Sequence, residues 1–161
     1  MIQGASSSDG PFDGAAPLAA CELEGGAGAL ATELLEVPIV PGSDVILVAR
    51  GNDPGGRPLA VVWGEPAFIG AAGELSLLDL GWRALASLPG EVSVFRAPSD
   101  RELLLGGRLC DAALLMRGAA GLRVRVPPGV ERLVVECGFD GAALPGPRAR
   151  ASCSVYGATP A

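Results

Sequence analysis

The side chains able to do chemistry in this chain are few, and their types narrow what that chemistry can be. There is no histidine and no lysine, so all 12 basic residues are arginine. Without histidine the commonest general base and metal ligand are missing, and without lysine Schiff-base and Ser-Lys mechanisms go too. Catalysis would have to rest on carboxylates, serine or cysteine. Asp53, Glu65, Asp79, Asp100, Asp111 and Asp140 fall at strand ends and in loops, where they serve turns and solubility. A glycosidase needs two carboxylates flanking one bond, a separation in space that sequence spacing does not give. The reading is a non-catalytic chain.

Binding chemistry has more to draw on. Trp63 and Trp82 are candidates for stacking on a sugar ring, whose apolar face an indole can cover while polar loop groups take the hydroxyls. Trp63 closes the apolar run Leu59 to Val62, so anchoring the core competes with ligand binding there. Trp82 follows Gly81 and reads as exposed. Asn52 and Asp53, in Gly51-Asn52-Asp53-Pro54-Gly55-Gly56, offer hard oxygens of the kind calcium takes. Calcium wants about six to eight oxygens and this loop supplies few, so no cofactor is expected and the segment reads as a hairpin loop. The loops around Trp63, Trp82, Asn52 and Asp53 are the expected ligand edge.

Cys21, Cys110, Cys137 and Cys153 have no CxxC spacing, which argues against a zinc knuckle or thioredoxin-like site. Alternation in Leu133-Val134-Val135-Glu136-Cys137 and Cys153-Ser154-Val155 puts each cysteine on the face of its aliphatic neighbours, the setting of a small buried hydrophobe. A disulfide, such as Cys137 with Cys153, is the alternative. Gly26-Ala27-Gly28-Ala29-Leu30-Ala31 carries glycines like those of a dinucleotide-binding turn, but Ala20 to Glu24 is a poor buried strand and no helix/parallel-strand alternation follows. It reads as a turn into a strand.

Those residues must be positioned by short elements. The chain has 161 residues, of which 49% are hydrophobic, 19% charged and 4% aromatic, with Gly 24 and Pro 14 spread along it. That length supports one core, and that composition gives many turns. The net charge of -6 and dispersed arginines form no basic stripe, so nucleic acid is not an expected partner. No apolar run approaches the roughly 20 residues of a membrane span. Residues 1–20 are polar and aperiodic and read as a flexible leader, with 21–161 as a single domain. Met1 to Gly14 has neither the basic nor the apolar region of a signal peptide, and Leu18-Ala19-Ala20-Cys21 resembles a lipobox with no apolar run before it.

From there, runs of four to eight apolar-rich residues separated by turn residues predict an antiparallel β-sandwich with little helix. They include Val45 to Ala49, Leu59 to Trp63, Leu75 to Leu80, Glu91 to Phe95, Glu102 to Leu105, Ala112 to Met116 and Ala149 to Tyr156. The clearest pair is Leu122 to Val126 and Val130 to Cys137 across Pro127-Pro128-Gly129. Leu122, Val124, Val126, Leu133, Val135 and Cys137 are expected on its buried face, with Glu136 near Arg123 or Arg125 on a solvated one. Ala29 to Glu36 and Leu75 to Leu88 also admit a helical reading.

From Leu75 onward the chain resembles the NPCBM (novel putative carbohydrate-binding module) family of jelly-roll sandwiches. The resemblance lies in Leu75-Ser76-Leu77-Leu78-Asp79-Leu80, Glu102-Leu103-Leu104-Leu105-Gly106-Gly107-Arg108, Gly121 to Val126, and Glu131 to Asp140, and it covers about residues 75–156. It implies a jelly roll, a glycan ligand and an extracytoplasmic setting. The family's Gly-x-Gly-x-His is absent near Ala113 to Arg117, so none of its ligand residues carries over. Asp44 to Arg50 and Ala60 to Pro66 resemble the way such jelly rolls end, so the expected sandwich is permuted or built of two partial units. Two functions follow as expectations: a carbohydrate-binding-like module, or an assembly subunit that uses an apolar surface and its leader to engage itself or other proteins.

Overall fold

The computed structural model describes residues 16–56 and 59–160. Its strands are β1 (Ala19–Glu24), β2 (Glu33–Pro38), β3 (Asp44–Asn52), β4 (Ala60–Gly70), β5 (Gly73–Ser76), β6 (Trp82–Ala84), β7 (Glu91–Arg96), β8 (Leu104–Leu105), β9 (Arg108–Leu109), β10 (Ala112–Arg117), β11 (Ala120–Arg125), β12 (Val130–Phe139) and β13 (Arg150–Ala158). Apart from 3-10 turns at Gly26–Gly28 and Leu77–Asp79, the described residues hold no helix, and none long and apolar enough to cross a membrane.

All the strands pair antiparallel. One sheet has the order β1-β13-β3-β11-β6 and the other β2-β12-β4-β10-β7, with β5 on β4 and a separate β8-β9 ribbon. Taken along the chain, β1, β2, β3, β4, β10, β11, β12 and β13 occupy the two sheets in the order β1-β13-β3-β11 and β2-β12-β4-β10, the paired Greek keys of a jelly roll. The expected permutation is therefore unnecessary: the strands before Ala72 and those after it interleave in one sandwich, and β5 to β9 are an insertion between β4 and β10.

Period-two alternation builds the core. Val45, Leu47 and Ala49 of β3 point inward with Leu122 and Val124 of β11, and meet Val61, Trp63, Leu114, Leu133, Val135 and Cys137 of the opposite sheet. The insertion and its flanks cover the outer faces. Leu85 packs on Ile46 and Val48 of one sheet, while Phe95, Leu103, Leu105 and Cys110 pack on Val62 of the other. Covering both faces lets a chain with few charges hide its aliphatic residues.

The expected β11/β12 hairpin is not formed. β11 pairs with β3 and β6, and β12 with β2 and β4, so the turn at 127–129 carries the chain from one sheet to the other. The six predicted apolar residues are all buried, but they face one another across the core. The Asn52-Asp53 segment likewise crosses between sheets and is no hairpin loop. Ala29 to Glu36 is no helix: it runs through a turn into β2, where Leu35 and Val37 alternate inward. Leu75 to Leu88 breaks into β5, a 3-10 turn capped by the Ser76 hydroxyl, and β6. Ala19 and Ala20, expected in the leader, pair instead with Val155 and Ser154 of β13. Residues 1–15 lie outside the described residues.

Candidate functional site

The charged site begins with alternation on β11. Leu122 and Val124 turn inward, which sends Arg123 and Arg125 to the outer face of the sheet. Arg125 lies in register with Asp44, the first residue of β3, and Arg123 with Ile46. The Asp44 carboxylate accepts from both guanidinium groups: Oδ2 from Arg123 Nε at 2.6 Å and Oδ1 from Arg125 Nε at 2.5 Å. Arg123 also donates from Nη2 to the Thr159 carbonyl at 2.7 Å. The Asp44 and Arg123 side chains are only 5% and 7% exposed, against 52% for Arg125. Burial at that level is tolerable because the two charges satisfy each other at hydrogen-bond distance.

On the other side of Arg123 lies Arg83 of β6, directly opposite it in the antiparallel ladder. Like charges in that position repel. Arg83 is exposed and makes no hydrogen bond or ion pair among the described residues. Asp44, Arg83, Arg123, Arg125 and Trp82 line a shallow cavity of about 210 Å³. Three guanidinium groups against one carboxylate leave this cradle positive on a chain of net charge -6. A guanidinium fork matches the two oxygens of a carboxylate, sulfate or phosphate, so the cradle suits an anionic group.

The four predicted ligand residues are not brought together. Trp63 is fully buried in the core, where its indole N–H donates to the Met116 sulfur at 3.1 Å, so it has no face for a ligand. Trp82 does border the cradle, but it is half-buried, opposite Val124 and packed on the core rather than projecting as a platform. Asn52 ends β3, eight residues from Asp44, which at about 3.3 Å per residue puts the two about 26 Å apart. The buried Asp53 is a latch: its carboxylate accepts from the backbone N–H groups of Gly55 (2.9 Å) and Gly146 (3.2 Å), which commits to the fold the oxygens a calcium ion would use. Asp140 does a similar job, accepting from Arg101 and from Ala142 N–H. Glu136 pairs with Arg108 and Thr32, not with Arg123 or Arg125, because β12 and β11 lie in different sheets. The Arg123-Arg125 alternation was the available signal for the cradle, and its acidic partner is Asp44, some eighty residues earlier.

Three thiols also converge. Cys21 of β1 and Cys153 of β13 are opposite one another in one sheet, and Cys137 of β12 reaches them from the other. Their sulfurs lie within 4.8 Å of one another. All four cysteines are free thiols, so the Cys137–Cys153 disulfide is not present. Hydrogen bonds from Cys137 and Cys153 draw the Cys21 thiol down to about 4, against the effect of burial. Cys137 is pushed up by its hydrogen bonds to Cys153 and Cys21 and by burial. For Cys153 the bond with Cys137 pulls down, but the bond to Cys21 and burial outweigh it and the thiol rises. Burial raises Cys110. A lowered thiol is a thiolate throughout the neutral range, so alkylation of half-buried Cys21 should change little between pH 6 and pH 9, while that of Cys110 climbs with pH. Peptide mapping after a timed iodoacetamide pulse reads both.

At one end of the sandwich an apolar groove of about 510 Å³ is walled by Leu18, Ile39, Val40, Pro41 and Pro160. Comparison of the chain with protein-family profiles, with curated proteins and with solved structures finds no match.

Proposed function

We propose that this chain is a non-catalytic β-sandwich module that binds an anionic ligand, an acidic saccharide, in the Arg83-Arg123-Arg125 cradle. The observation that carries the reading is Arg83: an exposed guanidinium opposite a second one, while the Asp44 carboxylate, the only one lining the cradle among the described residues, is already shared by Arg123 and Arg125. An incoming carboxylate or sulfate would relieve that repulsion and gain charge-assisted hydrogen bonds, each worth about 1.5–3 kcal/mol. The NPCBM resemblance over residues 75–156 favours a sugar as the carrier of the charge. The missing histidine and lysine, and the commitment of Asp53 and Asp140 to backbone and arginine partners, favour binding over catalysis.

Calorimetric titration with oligouronates and their neutral counterparts tests this. Binding should favour the acidic sugar, weaken as salt rises, and fall about 10- to 100-fold in Arg83→Ala, the loss of one such hydrogen bond. Equal affinity for neutral sugars, or full affinity in Arg83→Ala, would count against it. The apolar groove favours the second reading, an assembly module. That reading predicts a higher-mass species in light scattering that Val40→Glu abolishes.

A further inference from the structure

We propose that Cys21, Cys137 and Cys153 form a binding site for one soft, thiophilic metal ion held by three sulfurs, with Cu(I) the ion it fits. Two of the ligands come from neighbouring strands of one sheet and the third from the facing sheet, so the sulfurs meet in the space between the layers. A metal–sulfur distance of about 2.3 Å places three sulfurs about 4 Å apart around a central ion. The observed separations, all within 4.8 Å, need to close by less than one ångström to reach that arrangement.

The surroundings select the ion. Cys137 and Cys153 belong to the hydrophobic core and Cys21 packs against it. Among the described residues no histidine, carboxylate or fourth cysteine joins the group, and Cys110 packs in a separate cluster on the outer face of the other sheet. Calcium and magnesium need oxygen ligands, and a structural zinc site closes with four protein ligands. Three thiolates with no fourth donor suit a soft monovalent ion that accepts low coordination. On binding, each sulfur that still carries a proton and ligates as a thiolate releases that proton to solvent, and no electron changes hands. Cys21 sits half-buried on the edge strand β1, which gives an ion a way in.

The test is anaerobic titration of the reduced full-length chain with Cu(I) against a competing Cu(I) chelator, with X-ray absorption on the loaded protein. One copper per chain is expected, with three sulfur neighbours and a raised melting temperature. Affinity should fall at least 100-fold in Cys21→Ser and stay unchanged in Cys110→Ser. Should Cys21→Ser lose its native circular dichroism, Cys21→Ala replaces it. Unchanged affinity in the folded Cys21 variant overturns the proposal, as does an equal loss in Cys110→Ser, two-sulfur coordination, no copper retained against the chelator, or zinc displacing copper at equal concentration.

Discussion

Replacing Asp44 by alanine is expected to destabilise the fold by about 3–5 kcal/mol, because it strands the buried Arg123 guanidinium without its counter-charge. The comparison that isolates the cause is Arg125→Ala. Arg125 donates to the same carboxylate from a half-exposed position, and its loss should cost about 1 kcal/mol or less. Asp44→Ala combined with Arg123→Met should recover much of the loss, since removing both charges also removes the desolvation penalty. Urea unfolding of the four chains with a common m-value measures it. A loss below about 1 kcal/mol for Asp44→Ala would mean the pair is not buried as described.

Trp63→Ala should be comparably severe, at about 3–5 kcal/mol. Its ring fills the space between the sheets at 0% exposure, and its N–H is matched to the Met116 sulfur. The cavity cannot collapse easily, because neighbours from both sheets are pinned by their ladders. Trp63→Phe should recover most of the packing. Trp82→Ala should cost less, being half-buried on the three-residue edge strand β6. Thermal unfolding of the three variants ranks them, and a Trp82→Ala variant less stable than Trp63→Ala would contradict the assignment of the two indoles.

The fold was largely legible because period-two alternation depends only on which residues are apolar. Leu122, Val124, Leu133, Val135 and Cys137 all reach the core as expected. Partners were less legible. The Pro127-Pro128-Gly129 turn looks like a hairpin, yet it is an arch between sheets, since both flanking strands bury the same kind of face whether they lie side by side or opposite one another. From that one ambiguity came the wrong partner for Arg123 and Arg125. The candidate site suffered most. Nothing local in the sequence marks Asp44 or Arg83 as members of one site, because their union depends on β3, β6 and β11 sharing a sheet. Of the residues singled out for ligand contact, Trp63 lies in the core, Asp53 accepts from backbone N–H groups and Asn52 ends β3 far from Asp44. Alternation places Cys137 and Cys153 on apolar faces, but no local pattern shows that these two converge with Cys21.

The most direct test of the cradle is an NMR titration of the isotope-labelled chain with an oligouronate, following the arginine side-chain N–H signals and the two indole N–H signals. Shifts concentrated at Arg83, Arg123 and Arg125, with a smaller movement of the Trp82 indole and none at Trp63, are the predicted result. Shifts confined to the groove around Leu18 and Val40, or none while the sugar binds, would contradict it.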